Sequence, residues 1–180
     1  MTILFPSNFY TLISPENKDE LVEVANSADL HENQKFTWGG ECNVKKERIK
    51  INKIAQSLIP ALRSFFEEVG IPFNVKVEEG WRNTYKKEEF QDIHYHPEAD
   101  LSAVLFLTDT LGEFYFYNRN SVEVSKVWCD SLYLDIKRIN ASKGDILFFP
   151  SHILHGVSPN KSENERRTVS INMRLIAPSE

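Results

Sequence analysis

The hydrophobic pattern of this chain changes period once, at Gly70, and that change restricts the fold more than any other feature. Before it, Ile51, Ile54, Leu58, Leu62, Phe65 and Phe66 recur at helical spacing over a segment from about Lys45 to Val69, since residues three and four apart share a helix face. Gly70 suits a helix stop because it tolerates a left-handed backbone, and Pro60 inside the run predicts a kink or two abutting helices. Ser14-Pro15-Glu16 predicts an earlier helix start, with Ser14 as cap and Pro15 in the first turn. After Gly70 the apolar segments shorten. Residues 73–79, 101–108, 113–118, 132–137, 145–150 and 168–175 read as strands, separated by turn residues with no helical pattern between them. Helices first and a closed β region second predict a mostly β chain: an antiparallel sandwich or barrel of jelly-roll type, with the N-terminal helices covering an outer face.

The 180 residues suffice for one domain with a substantial core, divided by the period change into a helical support (1–70) and a β core (71–180). A net charge of −5 and a pI near 5.6 argue against a general nucleic-acid binder, which needs a basic face. Cys42 and Cys129 stand far apart and form no metal pair or disulfide framework, so both read as reduced thiols. The opening MTILFPSNFYTL lacks the basic start and long apolar run of a signal peptide, and a cytoplasmic location is expected.

Chemistry concentrates in the β half. His94 and His96 lie two apart, so on a continuous strand both project from one face. The ordinary reading of such a pair is polar decoration of a strand edge. Its context favours a metal: Pro97 ends the strand and places both rings at a sheet rim, Glu98 and Asp100 follow as possible oxygen ligands, and the apolar run LSAVLFLT supplies a pocket floor. His155 is the natural third imidazole. It follows the Gly144-Asp145 turn, the strand ILFF and Pro150, and so falls at the start of the next strand, opposite the first pair in an antiparallel barrel. His152 competes through its H-x-x-H spacing with His155, but beside Pro150 and Ser151 it reads as an exposed turn residue, and His31 stands in a polar stretch. Imidazole suits Fe(II), and a facial triad leaves positions for substrate and O2.

The last strand alternates. Thr168, Ser170 and Asn172 share a face with Arg166, while Val169, Ile171 and Met173 share the other with Arg167. A polar pocket wall and an apolar packing face follow. Arg166 is then the candidate for gripping a carboxylate through its two-pronged guanidinium, with Ser170 and Asn172 beside it, and Arg167 points outward; two surface arginines after a charged loop is the competing reading. Tyr85, nine residues before His94, can offer its hydroxyl to the same carboxylate or serve as a buried structural tyrosine. Trp81, Phe106, Phe116 and Phe148 read as core.

Five segments occur in order: WRNTY (81–85), IHYHPEADLSAVLFL (93–107), GEFYFYN (112–118), GDILFFPSHILHGVSPN (144–160) and ERRTVSIN (165–172). Together they resemble the Fe(II)/2-oxoglutarate-dependent oxygenase superfamily, in the prolyl-hydroxylase-like branch that includes small bacterial and phage members. The resemblance spans roughly Trp81 to Leu175. It implies a double-stranded β-helix with flanking helices, Fe(II) on His94 and His155, and O2 as oxidant. The distal carboxylate of 2-oxoglutarate would rest on Arg166, assisted by Tyr85. The departure is at His96, where most of the superfamily carries Asp or Glu. Three arrangements stay open: His96 itself ligates, His96 pairs with Glu98 in a shifted H-x-E, or Asp100 reaches in from the loop. The Tyr85–His94 interval favours His96. A neutral third ligand would leave the site one negative charge short and weaken retention of Fe(II).

The expectation is a non-haem dioxygenase that hydroxylates a C–H bond of a small-molecule or peptidyl-prolyl substrate and releases succinate and CO2. Two other classes compete. A three-histidine cupin-like metalloenzyme would not use 2-oxoglutarate and would leave Arg166 without a role, and a non-catalytic jelly-roll binding protein would hold no stoichiometric iron. The stretch from Asn118 to Lys143, with Trp128, reads as a lid.

Overall fold

The computed structural model of the protein describes residues 9–34, 44–70, 74–118 and 136–176. Both cysteines, the first part of the expected strand at 132–137 and most of the expected lid lie outside these residues. The helices are α1 (Lys18–Ser27), α2 (Asn52–Ser57) and α3 (Ile59–Val69). α2 and α3 abut at Leu58, with Pro60 in the first turn of α3, where its missing N–H would be unpaired anyway. Gly70 closes α3 at φ 73 and donates its N–H to the Phe66 carbonyl. None of the helices among the described residues is long and apolar enough to cross a membrane.

Two helix starts differ from the sequence expectation. α1 begins after Asn17, not at a Ser14 cap: Pro15 closes a turn by accepting from the Lys18 N–H, and the Asn17 amide donates to the Ser57 carbonyl, tying α1 to α2. The second helical run begins at Asn52, whereas Lys45–Arg48 forms a strand, β2, on the edge of a sheet. Its Lys-Lys-Glu-Arg sequence has no apolar face to bury, and charged side chains suit a sheet edge.

The remaining strands are β1 (Thr11–Ile13), β3 (Asn74–Tyr85), β4 (Gln91–His94), β5 (Leu101–Phe106), β6 (Thr110–Tyr117), β7 (Ile136–Ala141), β8 (Ile146–Pro150), β9 (His155–Val157) and β10 (Arg166–Ile176). They form a six-stranded sheet in the order β1-β8-β5-β10-β3-β2 and a four-stranded sheet in the order β4-β9-β6-β7, with every pairing antiparallel. This is the double-stranded β-helix. β3 is longer than expected because it runs on through Trp81–Tyr85 to pair with β10.

Alternation along the strands divides the molecule into two cores. On one face of the large sheet Ala103, Leu105, Phe148, Val169, Ile171 and Met173 meet Leu21, Ala25, Ile54, Leu58 and Phe65 of the helices. Phe148 stacks on Phe65 with ring centres 4.9 Å apart, and burying a ring of this kind contributes roughly 1.5–3 kcal/mol. On the other face Val104, Phe106, Leu147 and Phe149 meet Phe114, Phe116, Ile139 and Val157 of the small sheet. β5 is covered from both sides, so it is buried at every residue and reads as an unbroken apolar run.

The small sheet closes over a glycine. A Cβ on Gly156 would stand 2.7 Å from the Tyr115 hydroxyl and 3.2 Å from the Gln91 carbonyl. Gly156→Ala is therefore expected to lower stability by about 1–3 kcal/mol through overpacking, measurable as a shift of the urea midpoint.

Candidate metal centre and its cavity

A cavity lies between the sheets, walled by β3, β5 and β10 on one side and by β4, β6 and β9 on the other. Strand pairing builds its histidine edge. His94, the last residue of β4, is paired directly with His155, the first of β9. His96 does not share that strand, contrary to the expectation of one continuous strand face. The chain turns after His94, and His96 is returned to the group by its N–H, which donates to the Ser151 carbonyl at 2.9 Å.

The ligand nitrogens of His94, His96 and His155 lie within 4.8 Å of one another. His96 Nε2 is 3.3 Å from His155 Nε2, close to the roughly 3 Å separating two imidazoles at right angles on one metal with bonds of about 2.1 Å. The Asp92 carbonyl accepts from His94 Nδ1 at 2.7 Å and the Ile153 carbonyl from His155 Nδ1 at 2.8 Å. Those bonds fix the proton on Nδ1 and leave the lone pair on Nε2, the tautomer that metal-binding histidines use. Phe149 and Phe114 pack on His155, and the Trp81 ring lies 5.7 Å from that of His96.

Burial is the main reason all three imidazoles stay neutral. His94 is held to about 2, with the neighbouring His155 and Lys46 charges adding to the effect. His96 is held to about 3 by burial and then by His94 and Lys46, and His155 to about 3 by burial and His96. Above the ordinary value of 6.5 neither the folded nor the unfolded chain protonates them, and they impose no pH cost. Below it the unfolded chain takes up protons that the folded one refuses. Metal-free protein should then lose stability from pH 6.5 down towards 3, by about 1.4 kcal/mol per pH unit for each refused proton. Urea unfolding at a series of pH values should show a flat midpoint above pH 7 and a steep fall below 6.

Neither alternative third ligand is in the group. Asp100 accepts from the Leu175 N–H at 3.0 Å and faces Arg174, and Glu98 is exposed in the turn after His96. His152 is exposed in its turn, and His31 accepts from the Asn33 N–H far from the cavity.

Arg166 and Tyr85 stand opposite each other in the register of β10 and β3, and the guanidinium carbon lies 4.5 Å above the tyrosine ring. Arg166 is 5% exposed, donates through Nη2 to the Ser158 carbonyl at 3.3 Å, and has its buried Nη1 without a hydrogen-bond partner. Burial pulls its pKa down, while Tyr85 and Glu113 push it up. A buried cationic donor left over is costly and fits an anionic ligand. Arg167 points away, donating to Asn26. Ser170 accepts from the Asn83 amide at 3.0 Å. Asn172 lies at the histidine end, where its amide nitrogen is 3.4 Å from His96 Nδ1 and donates to Glu79 at 3.1 Å, while its oxygen accepts from Ser102.

Trp81, Asn83, Gln91 and Lys46 are among the wall residues that the sequence reading does not place there. Trp81 is buried as core residues are, yet it also lines the cavity. Asn83 and Gln91 are buried there, with Asn83 Oδ1 and Gln91 Nε2 lacking hydrogen-bond partners. The alternation of Trp81, Asn83 and Tyr85 was a usable signal for the first two. Lys46 lines the cavity from β2, whose residues read as helix in the sequence.

The sequence matches, over residues 79–172, the family described as "Putative 2OG-Fe(II) oxygenase". No protein among the curated ones matches it. Solved structures are similar in fold. HygX from Streptomyces hygroscopicus, with nickel and 2-oxoglutarate bound, aligns over 95% of this chain and 84% of its own at 12% identity and a TM-score of 0.60. An oxidoreductase of the 2OG-Fe(II) oxygenase family from Burkholderia pseudomallei aligns over 92% and 84%, at 13% identity and a TM-score of 0.64. The viral collagen prolyl hydroxylase of Paramecium Bursaria Chlorella virus-1, as its 2OG complex, aligns over 93% and 97%, at 15% identity and a TM-score of 0.61.

Proposed function

The chain belongs to the 2OG-Fe(II) oxygenase family, and on that premise we propose that His94, His96 and His155 hold Fe(II) while Arg166 and Tyr85 seat 2-oxoglutarate, in an enzyme that hydroxylates a C–H bond. The observation that carries this reading is the convergence of three neutral imidazoles beside a buried guanidinium with an unused donor. The donor set fits the metal: imidazole binds Fe(II), and three ligands from one side leave positions for co-substrate and O2. Crystals of HygX with iron and of the viral enzyme with 2-oxoglutarate support the same choice of ligands.

The protein's own part is binding and exclusion. His94 and His155 are pre-set as Nε2 donors by their carbonyl partners, so no proton competes with the metal near pH 7. Arg166 fixes the far carboxylate of the co-substrate, and the Tyr85 ring holds the guanidinium in place through a cation–π contact. Phe106, Phe114, Phe149 and Val157 line the cavity between these ends and keep water from it. Iron with 2-oxoglutarate supplies the oxidising chemistry, in which O2 and the keto acid give succinate, CO2 and an oxygen atom for the substrate. Both small molecules and peptides are open as substrates, since HygX was crystallised with hygromycin B and the viral enzyme is a collagen prolyl hydroxylase.

Anaerobic titration with Fe(II) and then 2-oxoglutarate tests the reading. A weak visible charge-transfer band from the chelated keto acid is expected. Tight iron binding with no band would replace it with the three-histidine metalloenzyme that does without 2-oxoglutarate.

A further inference from the structure

Three buried side-chain atoms of the cavity wall have no hydrogen-bond partner among the described residues: Arg166 Nη1, Gln91 Nε2 and Asn83 Oδ1. Two of them are donors, and the function proposed above uses only the first. Gln91 is 3% exposed, so bulk water does not reach its amide. A buried donor left unpaired costs stability, and a ligand acceptor relieves that cost. Register places the residue. On the small sheet Gln91 of β4, Val157 of β9 and Phe114 of β6 form one row, and all three line the cavity. In one direction the next row carries His94 and His155, about 7 Å along the strand. In the other, the chain steps from Val157 to Ser158, whose carbonyl accepts from Arg166 Nη2, and from Phe114 to Glu113, whose carboxyl feels the same guanidinium. Gln91 therefore stands between the histidines and Arg166, the interval that a co-substrate joining them must span. It faces that interval from the small sheet, and Arg166 from the large one.

We propose that Gln91 is a second donor to the distal carboxylate of 2-oxoglutarate, reaching it from the small sheet while Arg166 holds it from the large one. The inference rests on the reading above, which seats that co-substrate between iron and Arg166. A carboxylate offers about four lone-pair sites, more than one guanidinium fills while its Nη2 also serves the Ser158 carbonyl. The 2-oxoglutarate dianion brings acceptors only. It can meet Arg166 Nη1 and Gln91 Nε2 but not Asn83 Oδ1, so its chemistry selects the two donors and leaves the third atom out. Glu113 already faces the Arg166 charge, so the hold on the anion depends the more on directed hydrogen bonds. Gln91 supplies one to an ionised acceptor, the stronger kind. The consequence is selectivity: Gln91 separates keto acids that carry a second carboxylate from those that do not.

The test pairs a change in the protein with a change in the ligand. The full chain with Fe(II) bound, as wild type and as Gln91→Met, is titrated anaerobically with 2-oxoglutarate and with 2-oxopentanoate. The second ligand has the same chain length and keto-acid end but no distal carboxylate, and the charge-transfer band of the chelated keto acid reads both affinities. Gln91→Met keeps the length and apolar packing of the side chain and removes the amide. Its affinity for 2-oxoglutarate is expected to fall about 10- to 100-fold, the scale of one hydrogen bond to a charged group, while that for 2-oxopentanoate stays within about threefold. Binding of 2-oxopentanoate also shows that the variant is folded, and Gln91→Leu, with the same expectation, stands in should Gln91→Met not fold. Equal losses for the two keto acids would give Gln91 to the iron end or to the fold, and unchanged affinity for 2-oxoglutarate would show that the amide does not reach it; either result overturns the proposal. A wild type that binds Fe(II) but gives no band with either keto acid sinks the functional reading, and this inference with it.

Discussion

Replacing His155 by alanine should remove stoichiometric Fe(II) binding, with affinity falling about 100- to 1,000-fold. The magnitude follows from dividing the roughly 10–16 kcal/mol of a full structural metal site among its ligands. His155 is the most buried of the three histidines, packed by Phe114 and Phe149 and oriented by the Ile153 carbonyl. Its removal takes away the ligand whose direction is best defined and leaves a cavity between two rings. The same substitution also destabilises the fold, so His94→Ala serves as the companion variant: His94 is partly exposed at a strand end, and its loss disturbs packing less. Both variants should stay folded by circular dichroism and lose iron measured after desalting. Retention of a full equivalent of iron by either one would rule out the three-histidine centre.

The site was legible in the sequence where strand register decides it. The alternation of β10 puts Arg166, Ser170 and Asn172 on one face and Arg167 on the other; the first three line the cavity and Arg167 donates to Asn26. His155 opposite His94 was likewise readable, because a turn, a strand and a proline count out the distance from Gly144. What sequence could not supply was the path between His94 and His96. Their spacing suits one strand face, but a hydrogen bond to the distant Ser151 carbonyl settles the second ring's position, and no local pattern encodes that bond. Lys46 escaped for a related reason. Its segment is polar, so its periodicity is silent, and tertiary pairing with β3 made it a strand beside a helix-rich region. Asn83 and Gln91 are buried polar residues that leave one side-chain atom each, Oδ1 and Nε2, without a hydrogen-bond partner, and propensity alone marks them as ordinary strand residues.

Replacing Arg166 by methionine should separate co-substrate binding from metal binding. Methionine keeps much of the length and the apolar contact with the Tyr85 ring but removes the charge. Iron affinity should hold, since Arg166 bears on Glu113 and Tyr85 and not on the histidines. Affinity for 2-oxoglutarate should fall about 100- to 1,000-fold, the usual scale for truncating one partner of a buried charge pair. Arg166→Lys should recover part of the loss, because an ammonium supplies charge without the two-pronged geometry that grips both carboxylate oxygens. The charge-transfer band, titrated anaerobically with 2-oxoglutarate, reads the affinity directly and does not require the substrate. In metal-free Arg166→Met the unused buried donor at Nη1 is also gone, so the variant should be no less stable than the wild type by urea unfolding even as it loses the co-substrate. A band of unchanged affinity in Arg166→Met would show that the guanidinium serves the fold alone and would move the distal carboxylate to another donor of the wall.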